Sequence, residues 1–167
     1  YSVVGVRERS LDEALECIGV AGYTHVELCG MDPHLGEVPT GTALQQLKQK
    51  LDSTGVSAGT LHAPLERNVL GAPEETWRAT QVGVNVDYMR LSAEVGANGM
   101  SIHPVPNPRF VDDPDDPGLP NAMRTAARRS LDDLIKNTPA DGLVCGFGEV
   151  NTHRTAICCY DYTVLAG

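Results

Sequence analysis

The sequence predicts an α/β domain built on a parallel sheet, and three observations carry that prediction. Short apolar, β-prone runs alternate with helical stretches four times in succession and are followed by a fifth run. Two helical stretches open on a Ser or Thr with Glu or Gln three residues later, Ser10-Leu11-Asp12-Glu13 and Thr42-Ala43-Leu44-Gln45. In that pattern each side chain satisfies an orphan backbone amide. Two successive strands also end alike, in Thr60-Leu61-His62-Ala63-Pro64 and Ser101-Ile102-His103-Pro104. Strand-helix alternation requires right-handed crossovers, and therefore parallel strands.

Ser2 to Val6 is a short apolar run suited to a first buried strand. Leu11, Ala14, Leu15 and Ile18 then share one helical face, and Ala21-Gly22 closes that helix. Thr24 to Cys29 reads as the second strand and leads into a Pro- and Gly-containing loop from Met31 to Gly41. The helix opening at Thr42 turns Leu44, Leu47 and Leu51 inward, and Gly55 supplies its left-handed stop. The third strand runs to His62. Pro73-Glu74-Glu75 starts a long helix, with proline early and acids in the first turn. Trp77, Gln81, Val84, Tyr88, Leu91 and Val95 form its expected stripe, and Gly96 ends it. A fourth strand reaches His103, followed by a long loop, Pro104 to Pro120, rich in proline and aspartate. Asn121 to Lys136 is the fourth helix, with Ala122, Ala126, Leu131, Leu134 and Ile135 available to pack. Leu143 to Phe147 is the fifth strand, leading to Glu149. Beyond it the rhythm fails, and Thr155 to Leu165 reads as one more strand.

Composition narrows the function classes. A chain of 167 residues, 41% hydrophobic and 21% charged, is long enough to bury a core. Its net charge of -9 repels phosphate backbones. Arg124, Arg128 and Arg129 cluster on a predicted helix as a solvated face, so a nucleic-acid partner is disfavoured. Five cysteines without a CxxC pair read as free thiols in a reducing compartment. No apolar run approaches the roughly 20 residues of a membrane span, and the first residues lack the basic and apolar regions of a signal peptide. A cytoplasmic protein without membrane contact is expected.

His62, His103 and Glu149 each stand at or just past the end of a predicted strand, where parallel α/β folds open their loops. Two imidazoles and a carboxylate form a borderline ligand set that suits Zn, Mn or Co and leaves positions for water or substrate. Taken singly, either histidine is better explained as a core or loop residue satisfied by a hydrogen bond. Their repetition in register favours a shared role. Glu149 alone is equally a solvated strand-end acid.

The pieces "AGYTHVELCG", "TLHAPL", "SIHPVP" and "GFGEVN", in this order, resemble the xylose-isomerase-like TIM barrels. That superfamily holds sugar and sugar-phosphate isomerases and epimerases together with the related AP endonucleases. The resemblance spans residues 2 to 151. It implies a partial (β/α)8 TIM barrel of about five to six parallel strands with alternating helices over residues 1–151, leaving 152–167 as a tail. It further implies His62, His103 and Glu149 as ligands of a divalent metal, with Glu149 also catalytic. Glu27, in "VEL", becomes a catalytic and substrate-facing acid, although a structural pocket-rim carboxylate serves it equally well. Asn151 becomes a substrate contact. The sequence departs from the family in two ways: Val150 separates Glu149 from Asn151, and a full barrel needs about 250 residues. No positions match the family's further ligands.

The implied activity is metal-dependent isomerisation or epimerisation of a small sugar or sugar phosphate, in which carboxylates move a proton between adjacent carbons. The alternatives are an AP endonuclease-like phosphodiester hydrolase and a non-catalytic partial-barrel remnant or assembly module. An open sheet leaves unpaired edges, so either a homo-oligomer that completes the barrel or a chain poorly stable alone is expected.

Overall fold

The computed structural model describes residues 2–64, 69–102, 111 and 113–137 in full, and 143–150 and 153–160 as backbone. In chain order the elements are α1 (Leu11–Val20), β1 (His25–Cys29), α2 (Gly41–Thr54), β2 (Ser57–His62), α3 (Glu75–Glu94), β3 (Met100–Ser101), α4 (Leu119–Asn137), β4 (Leu143–Val150) and β5 (His153–Tyr160). β1, β2 and β3 form a parallel sheet in that order. A three-stranded parallel sheet with four helices is compatible with part of a TIM-barrel-like fold.

The first expected strand is replaced by a 3-10 helix, Val3–Val6, in which the Ser2 hydroxyl accepts from the Val4 amide. Only Ser2 bridges the sheet, parallel to Glu27. Gly5 interrupts the run of valines and the charged Arg7-Glu8-Arg9 follows it directly, which leaves the extended stretch short. α1 forms the capping box its sequence predicts: the Glu13 amide donates to Ser10 Oγ at 3.3 Å, and the Ser10 amide to Glu13 Oε2 at 3.0 Å. For α2 the cap sits earlier than expected. Thr40 is the cap residue and makes no side-chain cap bond, while Thr42 already lies in the first turn. Gly55 ends α2 with φ +67°, a conformation that glycine adopts without strain.

α1 and α2 cover one face of the sheet. Leu15, Ile18, Leu47 and Leu51 pack with Val26, Leu28, Ala58 and Leu61 in one buried cluster. α3 is capped by Glu74, whose carboxylate accepts the Thr76 and Trp77 amides and is thereby held below the usual carboxylate range. Its inward face differs from the expected stripe. Arg78, Val82, Asn85, Val86, Tyr88, Leu91 and Ser92 are buried, whereas Trp77, Gln81, Val84 and Val95 are only half-buried. The cause is α4. Leu70, Val82, Val86, Leu131 and Leu134 make a second cluster, and the buried Arg78 guanidinium reaches Asp133 at 2.8 Å and Ser130 at 3.2 Å. On α4 itself Ala122 and Ile135 face outward, while Met123, Ala127 and Ser130 are buried.

The expected fifth parallel strand is corrected. β4 pairs antiparallel with β5, from Leu143↔Tyr160 to Val150↔His153, in a separate two-stranded sheet. Only two residues separate β4 from β5, a hairpin length, whereas a parallel pair needs a crossover of a dozen residues or more. The parallel strands among the described residues therefore number three, not five to six. No described helix is long and apolar enough to cross a membrane.

Candidate functional site at the strand ends

The side chains at the C-terminal ends of β1 and β2 are placed by a bulge. Val26 pairs with Ala58, but the register then shifts by one residue, giving Glu27↔Thr60, Leu28↔Leu61 and Cys29↔His62. Gly59 and Thr60 consequently share a face. A Cβ on Gly59 would lie 3.4 Å from His25 Cβ, and Thr60 Oγ1 lies 3.4 Å from Glu27 Oε2. Without the extra residue, Thr60 and His62 would continue on the Ala58 side, under the helices, and Leu61 would take the open face. The bulge lets Ala58 and Leu61 both remain in the core while His62 joins Glu27. One face thus collects Glu27, Thr60, Cys29 and His62.

Glu27 and His62 are both half-buried and stand on neighbouring strands two rungs apart, a rise of roughly 6–7 Å along the strands. His62 Nδ1 lies 2.7 Å from the Ala63 carbonyl oxygen. A carbonyl only accepts, so Nδ1 is the donor in this contact. A metal-ligating histidine is held by the same kind of hydrogen bond on its other nitrogen. Opposite His62, the Cys29 thiol is fully buried; burial pushes its pKa up, and the nearby Glu27 charge adds to that.

The loop after β1 is pinned from α3. Gly30 donates its amide to the His62 carbonyl at 2.9 Å, and the Tyr88 ring sits against it. A Cβ at Gly30 would fall 2.7 Å from Tyr88 Cε1 and 2.9 Å from Pro64 Cδ, so only glycine fits. The Tyr88 hydroxyl donates to the Leu35 carbonyl at 2.6 Å. Burial, with the Cys29, Asp32 and Glu37 charges, pushes the Tyr88 phenol up to about 12. Further along the same loop, His34 Nε2 is buried with no hydrogen-bond partner among the described residues.

Of the expected site residues, Glu27 and His62 are brought together. Ser101 of β3 pairs with His62, and its carbonyl accepts the Ala63 amide. His103 and Asn151 lie outside the described residues. Glu149 is placed by its backbone alone, on β4 opposite Arg154. Among the described residues no group of three His, Cys, Asp or Glu side chains is positioned to hold a metal ion. Thr60 is the member of this face that sequence reasoning missed, because its place opposite Glu27 depends on cross-strand register.

No family model matches the chain, and no curated protein matches it. Among solved structures, the chain is similar to 3-keto-D-glucoside 4-epimerase from E. coli in its apo form, with TM-score 0.62 and 18% identity. The match covers 87% of this chain and 53% of that one, so the chain spans about half the length of that epimerase. At this identity the likeness is one of fold alone.

Proposed function

We propose that this chain is part of a metal-dependent isomerase or epimerase acting on a small sugar or sugar phosphate. The observation that carries the reading is the shared face of β1 and β2, where Glu27 and an oriented His62 stand together at the strand ends. The fold likeness to a sugar epimerase supports the same reading.

Glu27 would take the proton from a carbon next to a carbonyl, leaving the electron pair on the carbonyl oxygen as an enediolate. Return of the proton to the other face, or to the neighbouring carbon, gives epimer or isomer. Glu149 is proposed as the second catalytic acid and Asn151 as a substrate contact. His62, His103 and Glu149 would hold the divalent cation, Zn, Mn or Co. When bound, that cation polarises the carbonyl and stabilises the enediolate charge. Of this set, His62 is held through Nδ1 on the Ala63 carbonyl, the kind of bond that orients a ligating imidazole. The free Cys17 and Cys29 fit a reducing cytoplasm as the setting. The outer edge of β3 has no partner strand among the described residues, which favours completion of the barrel by a second copy.

The test is metal analysis of the purified protein together with turnover on a panel of keto sugars in D2O. One bound metal per site, lost in His62→Ala and His103→Ala, with deuterium entering the sugar, is the expected result. Unchanged metal content in both variants and no exchange would leave the non-catalytic assembly module as the reading.

A further inference from the structure

We infer that Thr60 is a positioning residue for the Glu27 carboxylate, and that the bulge at Gly59 serves to bring it there. The inference rests on the function proposed above and adds a residue to that site.

Thr60 is exposed on the open face of the sheet, and among the described residues it is the hydrogen-bond donor to Glu27. Its hydroxyl reaches Oε2 alone, at 3.4 Å, across the β1–β2 rung. A glutamate has three side-chain torsions, so an unanchored carboxylate samples many orientations. One hydroxyl on a rigid neighbouring strand removes most of that freedom, and a β-branched donor is itself stiff at χ1. With Oε2 held, Oε1 is the oxygen that meets the substrate's C–H. The proton passes from carbon to Oε1 and the C–H electron pair moves to the carbonyl oxygen; a proton delivered to the opposite face, by Glu149 in the proposed arrangement, or from Oε1 to the neighbouring carbon then re-forms a C–H bond and a carbonyl, and loss of its proton returns Glu27 to the carboxylate, so no further reactant is needed. At 3.4 Å the bond is long for O–H···O. Hydrogen bonds of this kind commonly tighten only when substrate is bound.

The bulge gives the argument its second support. Regular alternation through Ser57–His62 would hide Thr60 beneath the helices. The extra residue turns it out beside Glu27, and bulges concentrate where a side chain has to be re-aimed.

The experiment compares the unaltered chain with Thr60→Val, Thr60→Ser and Glu27→Gln on a 3-keto-D-glucoside. Epimerisation and loss of the carbon-bound proton into D2O are followed, and urea midpoints verify folding. Thr60→Val is expected to lower kcat about tenfold with KM within about twofold, and Thr60→Ser to restore most of it. Combined with Glu27→Gln, Thr60→Val should add no further loss, since there is no longer a carboxylate to position. Because Thr60 is exposed, Thr60→Ala serves as a second hydroxyl-free variant should the valine disturb folding. An active chain indifferent to Thr60→Val, or one in which Ser falls as far as Val, overturns this inference alone. So does a change confined to KM. If the unaltered chain neither epimerises nor exchanges this sugar or any of the panel, the proposed function fails and takes the inference with it.

Discussion

Gly30→Ala tests whether the end of β1 is as tightly closed as its surroundings require. An alanine Cβ at this position would lie 2.7 and 2.8 Å from two Tyr88 ring carbons and 2.9 Å from Pro64 Cδ. Ordinary contacts begin near 3.4 Å, so the ring would have to retreat by more than half an ångström. The ring has little room to do so, being 2% exposed with its hydroxyl held on the Leu35 carbonyl. Overpacking of a rigid core site costs about 1–3 kcal/mol. We expect the upper half of that range, which lowers Tm by roughly 4–12 °C in a chain of this size. Urea denaturation followed by circular dichroism gives the change, with the slope m unchanged if the folded state keeps its compactness. Tyr88→Leu in the Gly30→Ala background opens space, so the two losses should sum to more than the double variant shows. A Gly30→Ala midpoint equal to that of the unaltered protein, or strict additivity, would refute the close approach of ring and backbone.

Two further expectations concern α3. Arg78→Met retains most of the volume but removes the guanidinium that joins Glu75, Asp133 and Ser130, and the ion pairs hold its charged form well above its ordinary range. The abandoned acids are 56% and 34% exposed and regain water, so we expect a loss of about 2 kcal/mol, less than for a fully buried pair. A urea midpoint shift worth under about 0.5 kcal/mol would show that the network does not tie α3 to α4. The phenol of Tyr88, raised to about 12 from its ordinary value near 10, is favoured neutral in the fold. Its contribution is fully present below pH 10 and is lost as pH rises towards 12, a fall of about 2–3 kcal/mol. Chemical denaturation across that window should show the decline, and Tyr88→Phe should flatten it. Parallel curves for the two proteins would refute the assignment.

Much of the alternation was readable because its signals are local. The Ser10 box, the Gly55 stop and the acidic start of α3 depend on neighbours within four residues, and each forms as expected. What failed depends on distant partners. The stripe on α3 turned because Arg78 finds Asp133 on a helix that comes much later in the chain, and a charged residue does not announce its burial. The strand expected at Ser2–Val6 is rich in valine but broken by Gly5, and it adds a single bridge, Ser2 to Glu27. β4 was read as parallel from the rhythm before it, although the two-residue link to β5 decides its direction. At the site, His62 and Glu27 were legible as strand-end polar residues. Thr60 was not, since its place opposite Glu27 comes from a one-residue register shift between strands, which leaves no mark in "SAGTLH".

That shift also determines where the chain tolerates length changes. The connection from Met31 to Thr40 runs mostly along the surface, and adding a residue there alters reach but leaves the strands as they are. Inside Ser57–His62 a single codon gained or lost exchanges inside for outside over the rest of the strand: Leu61 would go into solvent and His62 into oil. Random insertion libraries should therefore accept many lengths before α2 and almost none across this hexapeptide.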